Sequence, residues 1–162
     1  MGMAAGGALH FNAFYKERLG WISPSSELVI TKSGRYTIHP LETNPGIKLA
    51  KVKLSDGDIP SYLYLEYRRA IGFDRTLPMS NQSGLLINAV NVPGSNGITL
   101  INHSMLLDMT PGPTNSLGYW ITSSINSSLN GANTFNDPKS GVTIGPIISN
   151  DANSITFDVK FA

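Results

Sequence analysis

Tyr62-Leu63-Tyr64-Leu65-Glu66-Tyr67-Arg68-Arg69 is the stretch that decides the fold. Aromatic and aliphatic side chains dominate it, as they do β-strands, and Glu66 and Arg68 share one face of an otherwise apolar strand. Upstream, Asp56-Gly57-Asp58 supplies a turn. Before it, residues 47–54 alternate apolar side chains with Lys48, Lys51 and Lys53, a second strand whose lysines are partly solvated. Residues 28–31 and 35–39 flank Lys32-Ser33-Gly34 and read as a hairpin, followed by a loop over 40–46 that holds two prolines.

Downstream, residues 85–92, 104–109, 142–148 and 155–161 bring the total to about eight short strands. Loops fill 93–97 and 111–138, with a short helix or strand expected near 117–129. Residues 12–20 are the one good helix candidate. Asn12 can accept a backbone N–H at the start and Gly20 can take the left-handed position past the end. In that helix Phe14 and Leu19, with Trp21 just beyond, bury one side while Lys16, Glu17 and Arg18 face water. The pattern predicts an all-β protein: an antiparallel, jelly-roll-like β-sandwich with one short N-terminal helix. Helices do not alternate with the strands, so a parallel α/β fold is not expected.

Length and composition bound the function. The 162 residues suit one domain that buries enough surface to fold without staples. Charged residues make up 14% of the chain, below the ~25% of an average soluble domain. The net charge of +1 comes without a basic block, so no nucleic-acid partner is expected, and no run reaches the ~18 apolar residues of a membrane span. There is no cysteine, which removes disulfides, thiolate metal sites and cysteine nucleophiles together. The small apolar start lacks the basic and hydrophobic regions of a secretory signal.

Few residues offer chemistry. His10, His39 and His103 are not spaced to share a helical face, and no Gly-x-Ser-x-Gly elbow, phosphate loop or dinucleotide fingerprint occurs. No catalytic and no metal-ligating residue is assigned. Asp56-Gly57-Asp58 and Asn150-Asp151-Ala152-Asn153 cluster oxygens in turns, the raw material of a calcium site. The plainer reading is that these side chains bond their own backbone. Glu66 and Arg68, with Asp74 and Asp108 in reach, read as a buried ionic network that fixes register. Asn81, Asn102 and Asn126 each begin an Asn-x-Ser glycosylation triplet, Asn81 and Asn126 in expected loops. Tyr119 and Trp120 could form a platform for a sugar ring, or pack beneath their loop.

Five segments carry a resemblance. His10-Phe-Asn-Ala-Phe-Tyr-Lys-Glu-Arg-Leu-Gly-Trp21, Ser33-Gly-Arg-Tyr-Thr-Ile, Tyr64-Leu-Glu-Tyr-Arg-Arg-Ala-Ile-Gly-Phe-Asp74, Gly84-Leu-Leu-Ile and Leu106-Leu-Asp-Met-Thr-Pro111 occur in this order. Thr134-Phe-Asn-Asp-Pro138 and Gly141-Val-Thr-Ile extend the series. Together they resemble the C-terminal part of gametolysin-like secreted zinc metallopeptidases, relatives of the immune inhibitor A group. In that family a His-Glu-x-x-His zinc helix and a Met-turn, which Met1-Gly2 resembles, precede a helix ending in Leu-Gly-Trp and then a β domain.

The zinc ligands and catalytic glutamate have no counterpart here, so the resemblance does not imply protease activity. It implies an extracellular setting, with residues 1–22 the tail and last helix of a peptidase module and 23–162 an accessory β-sandwich. Function would then be structural or binding, directed at a cognate protein domain or glycans. The alternative is a self-assembling filament subunit, a candidate for glycosylation, joined through its N-terminal segment, with Leu9, Phe11, Phe14, Leu19 and Trp21 as contacts. A residual hydrolase is the least favoured reading.

Overall fold

A computed structural model describes residues 9–56, 58–77, 81–92, 101–109 and 127–162. These form one α-helix, α1 (Ala13–Arg18), and ten strands in two sheets. The strands are β1 (Glu27–Ile30), β2 (Gly34–Ile38), β3 (Leu49–Lys53), β4 (Tyr62–Tyr67) and β5 (Leu85–Val90). After them come β6 (Ser104–Leu106), β7 (Ser128–Leu129), β8 (Phe135–Asn136), β9 (Thr143–Asn150) and β10 (Ile155–Lys160). One sheet runs β1-β3-β4-β5-β6 with β7 also on β5, and the other runs β2-β10-β9-β8. The chain is thus an all-β sandwich with one short helix. The two strands beyond the expected eight, β7 and β8, are two-residue segments within 111–138.

The alternation of β4 explains the layering. Leu63, Leu65 and Tyr67 point between the sheets and join Ile30, Ile38, Ile87, Leu129, Ile144 and Phe157 in one core. Tyr64 points the other way, into a second cluster with Ala13, Phe14, Ile22, Leu41, Leu49 and Val90. The first sheet is therefore covered on both faces, by the second sheet and by α1 with its flanking loops. All six residues of β5 are buried as a result, as expected of a strand with no solvent face.

Two expectations about strand pairing are corrected. Residues 28–31 and 35–39 do not make a hairpin: β1 lies in one sheet and β2 in the other. Lys32-Ser33-Gly34 turns a corner between the sheets, so that Ile30 and Ile38 enter the same core from opposite sides. Tyr36 donates its hydroxyl to the Lys32 carbonyl and Phe161 N–H reaches Ser33 Oγ, which holds the corner. The sandwich is also not purely antiparallel, because β1 pairs in parallel with β3, Glu27 opposite Leu49 through Ile30 opposite Val52. Residues 31–48 leave β1 for the other sheet and return, long enough for such a crossover.

Candidate functional site

Helix α1 has both expected ends. Asn12 Oδ1 accepts the Tyr15 N–H at 3.2 Å, and its Nδ2 donates to Ser104 Oγ on β6 at 2.7 Å. At the other end Gly20 has φ +71°, a conformation glycine adopts without strain. Gly20 N–H bonds the Glu17 carbonyl and Trp21 N–H the Lys16 carbonyl, the paired bonds of a Schellman cap. This cap fixes the exit of the chain, and with it Trp21.

Which face the helix buries differs from the sequence reading. Phe14 is buried, edge-on to Tyr64 with centroids 5.5 Å apart. Leu19 and Trp21 are exposed, at 52% and 61%, and so is Phe11 at 46%. Lys16, expected in water, and Lys48, expected partly solvated, are instead buried, because the outer face of the first sheet is roofed by the helix and by residues 39–48. Glu17 is half-buried and accepts from Lys51 Nζ and from the Tyr64 hydroxyl, both at 2.6 Å. Arg18 stays exposed and donates to Asn102 Oδ1.

Under this roof lies the ionic network. Arg68 donates through Nε to Asp74 Oδ2 at 3.0 Å and through Nη2 to the same oxygen and to the His10 carbonyl at 2.9 Å. Asp74 returns to the same segment by accepting the His10 N–H at 2.8 Å. Glu66 accepts the Ala13 N–H at the start of the helix, and Glu42 accepts the Arg69 N–H at 3.1 Å. The network expected around Glu66, Arg68 and Asp74 is present, and it ties the segment before α1 to the sheet as well as fixing register. Asp108 is half-buried beyond β6. The second acid on the guanidinium is Glu42, at 3.4 Å, from a loop with no motif to mark it.

Burial separates the acids. It pushes Glu42 up to about 7, helped by a hydrogen bond shared with Asp74. Burial also pushes Glu66 upward. Asp74 goes the other way: burial opposes its charge, but the bonds from Glu42 and Arg68 hold it below the usual carboxylate range. Burial, then the Lys16 ammonium, lowers His10.

A pH prediction follows for Glu42. Its folded pKa of about 7 lies above its ordinary value of 4.5, so folding takes up a proton between these values. The stability it lends is full below the ordinary value and is lost as pH rises through about 7. In Glu42→Gln that dependence is gone. Urea unfolding at about pH 5 and about pH 8 should therefore show the wild-type advantage over Glu42→Gln shrinking at the higher pH.

Beside the network, between α1 and the 41–48 loop, is a cavity of about 430 Å³. Leu41 and Ile22 form part of its wall, Trp21 part of its lip, and Lys16, Lys48, Thr43 and Ser26 contribute polar groups. The exposed aromatic rings adjoin it. Phe11 and Trp21 have centroids 5.9 Å apart, and Phe73, 70% exposed, stands edge-on to His10 at 5.2 Å. Sequence reading missed this cavity, since its residues come from separate segments that are joined only by folding.

The remaining sequence candidates fall as follows. Among the described residues, no three His, Asp or Glu side chains are arranged to hold a metal ion. His10 lines the cavity, His39 packs against Gly46 and His103 is exposed. Asp151 accepts the N–H groups of Asn153 and Ser154 at 2.7 and 2.9 Å, the backbone-bonding role, and Asp56 pairs with Lys53. Leu9 and Asn81 are half-buried, Asn81 accepting from Ser127 Oγ, while Asn102 is exposed. Tyr119, Trp120 and Asn126 lie outside the described residues. No described helix is long and apolar enough to cross a membrane.

Fold and site together define a β-sandwich roofed by a short helix, with an apolar rim around a cavity that holds buried cations. No protein-family model, curated protein or solved structure matches the chain.

Proposed function

We propose that the chain is a non-catalytic, extracellular binding module of the kind that accompanies the peptidase in gametolysin-like secreted zinc metallopeptidases. The observation that carries this reading is the set Phe11, Leu19 and Trp21: large apolar side chains about half exposed, flanking a helix whose start is bonded to the sandwich beneath it. Single exposed apolar residues are ordinary, but a cluster on a fixed element marks a contact surface. The resemblance makes this helix the end of a peptidase module, so such a module is the partner the surface fits. A purified gametolysin-like peptidase module lacking its own β domain should form a one-to-one complex with the chain in light scattering. Combined Phe11→Ser, Leu19→Ser and Trp21→Ser should abolish it with the fold intact by circular dichroism. Absence of a complex at tens of micromolar overturns the accessory reading, as does casein hydrolysis by the chain alone that a zinc chelator stops.

A second reading, the filament subunit, has its own observation. Strand β1 pairs only with β3 among the described residues and shows Val29 50% exposed, an edge able to accept a strand from another copy. Fibres or a broad mass distribution of the chain alone, lost on removal of residues 1–11, would favour it.

A further inference from the structure

Lys16 is an unusual group to find beneath a helix. It is 7% exposed, and among the described residues its ammonium makes no hydrogen bond and no ion pair within 4 Å. The stem of the side chain is covered while the ammonium stays open to solvent at the cavity, which leaves its N–H donors free for a partner there. The nearby carboxylates are committed elsewhere: Asp74 to Arg68 and His10, Glu66 to Ala13 and Glu42 to Arg68 and Arg69. What Lys16 does face is the cavity. Lys48 lines it too, 5% exposed, with Thr43 Oγ1 and the Pro45 carbonyl taking two of its three N–H groups at 3.0 and 2.8 Å. Two ammonium groups and the Thr43 hydroxyl thus meet an apolar wall of Ile22 and Leu41, with the Trp21 indole at the opening.

We infer that this cavity binds a small organic carboxylate, whose anionic end takes the free donors of Lys16 and Lys48 and whose apolar or ring-bearing body lies against Ile22, Leu41 and Trp21. A volume of about 430 Å³ lies within the usual size of small-ligand sites, and Trp21, Ile22 and Leu41 supply an apolar side to a wall that is otherwise polar. The charge balance agrees: Lys16, Lys48 and Arg68 face Asp74, Glu42 and Glu66, and Glu42 is half-protonated near neutral pH. His10, the remaining titratable group on the wall, is held toward its neutral form by burial and by Lys16. The inference rests on the reading of the chain as a binding module and assigns a ligand class to the same face.

Three probes test it by calorimetry: glucuronate, N-acetylphenylalanine as a stand-in for a peptide C-terminus, and the uncharged amide of the latter. At least one acid should bind, roughly tenfold or more tightly than the amide. Glucuronate alone would identify a sugar acid and N-acetylphenylalanine alone a peptide carboxylate. Lys16→Met should weaken the acid by about tenfold or more and erase its advantage over the amide. The ligand-free variant should unfold at the same or higher urea concentration, because the ammonium it removes makes no bond to the described residues. Lys16→Arg should keep part of the affinity. No heat from either acid at about 10 mM, equal binding of acid and amide, or a destabilised Lys16→Met overturns the inference. Complex formation with a peptidase module, which Lys16→Met leaves intact, reports on the accessory reading separately.

Discussion

Arg68→Ala is expected to remove about 3–5 kcal/mol of folding stability, a large share of the ~5–15 kcal/mol that domains of this kind possess. The guanidinium donates twice to Oδ2 of the wholly buried Asp74 and is the one cation in contact with it among the described residues, and it also holds the His10 carbonyl. Without it an ionised carboxylate stays in the interior with no counter-charge in contact, and that penalty exceeds the value of any single hydrogen bond. The urea midpoint should fall with the slope unchanged. Replacing both partners, Arg68→Met with Asp74→Leu, should recover part of the loss, since the buried charges go together while the His10 N–H and carbonyl and the Glu42 carboxyl lose a partner. A single variant within about 1 kcal/mol of wild type would place the pair in water, where ion pairs contribute little.

Phe14→Ala is expected to cost about 3 kcal/mol or more, lowering the melting temperature by about 6–12 °C in a chain of this size. Phe14 is 4% exposed and is the large apolar side chain by which α1 reaches the sheet. Its ring meets Tyr64 edge-on, and the Arg18 guanidinium lies 5.6 Å from its centroid. Truncation leaves a cavity between helix and strand that rigid backbones cannot close. Phe14→Leu should restore most of the loss. The two variants act on different layers of one attachment, the salt-bridged approach to the helix and its apolar underside. Either one should also weaken any complex formed through Phe11, Leu19 and Trp21.

Local signals were legible in the sequence wherever they were self-sufficient. Asn12 and Gly20 bounded the helix because a cap needs only its own neighbours, and β4, β5 and β10 carried their strand character in their composition. Pairing was less legible. Lys32-Ser33-Gly34 is as good a link for a hairpin as for a corner between sheets, and only the partners of Ile30 and Ile38 decide between them. The same limit explains Lys16 and Lys48. A lysine on a short amphipathic segment normally faces water, and its burial here depends on the 39–48 loop folding over the outer face of the sheet. Glu66 and Arg68 did stand out, as charges within an apolar strand, and they led to the network. The cavity beside it did not, because Lys16, Ile22, Leu41 and Lys48 have no common spacing.

Helix α1 must be a fixed layer of the sandwich for its rim and cavity to be presented ready-made. A six-residue helix has almost no stability of its own, so any protection of its amides must come from the attachment. Native-state hydrogen exchange read at His10 and Ala13, whose N–H groups are held by Asp74 and Glu66, tests this most directly. Both should exchange only through global unfolding, with the same free energy as the core strands β4 and β5. Exchange at both positions by local fraying, orders of magnitude faster than in those strands, would contradict it.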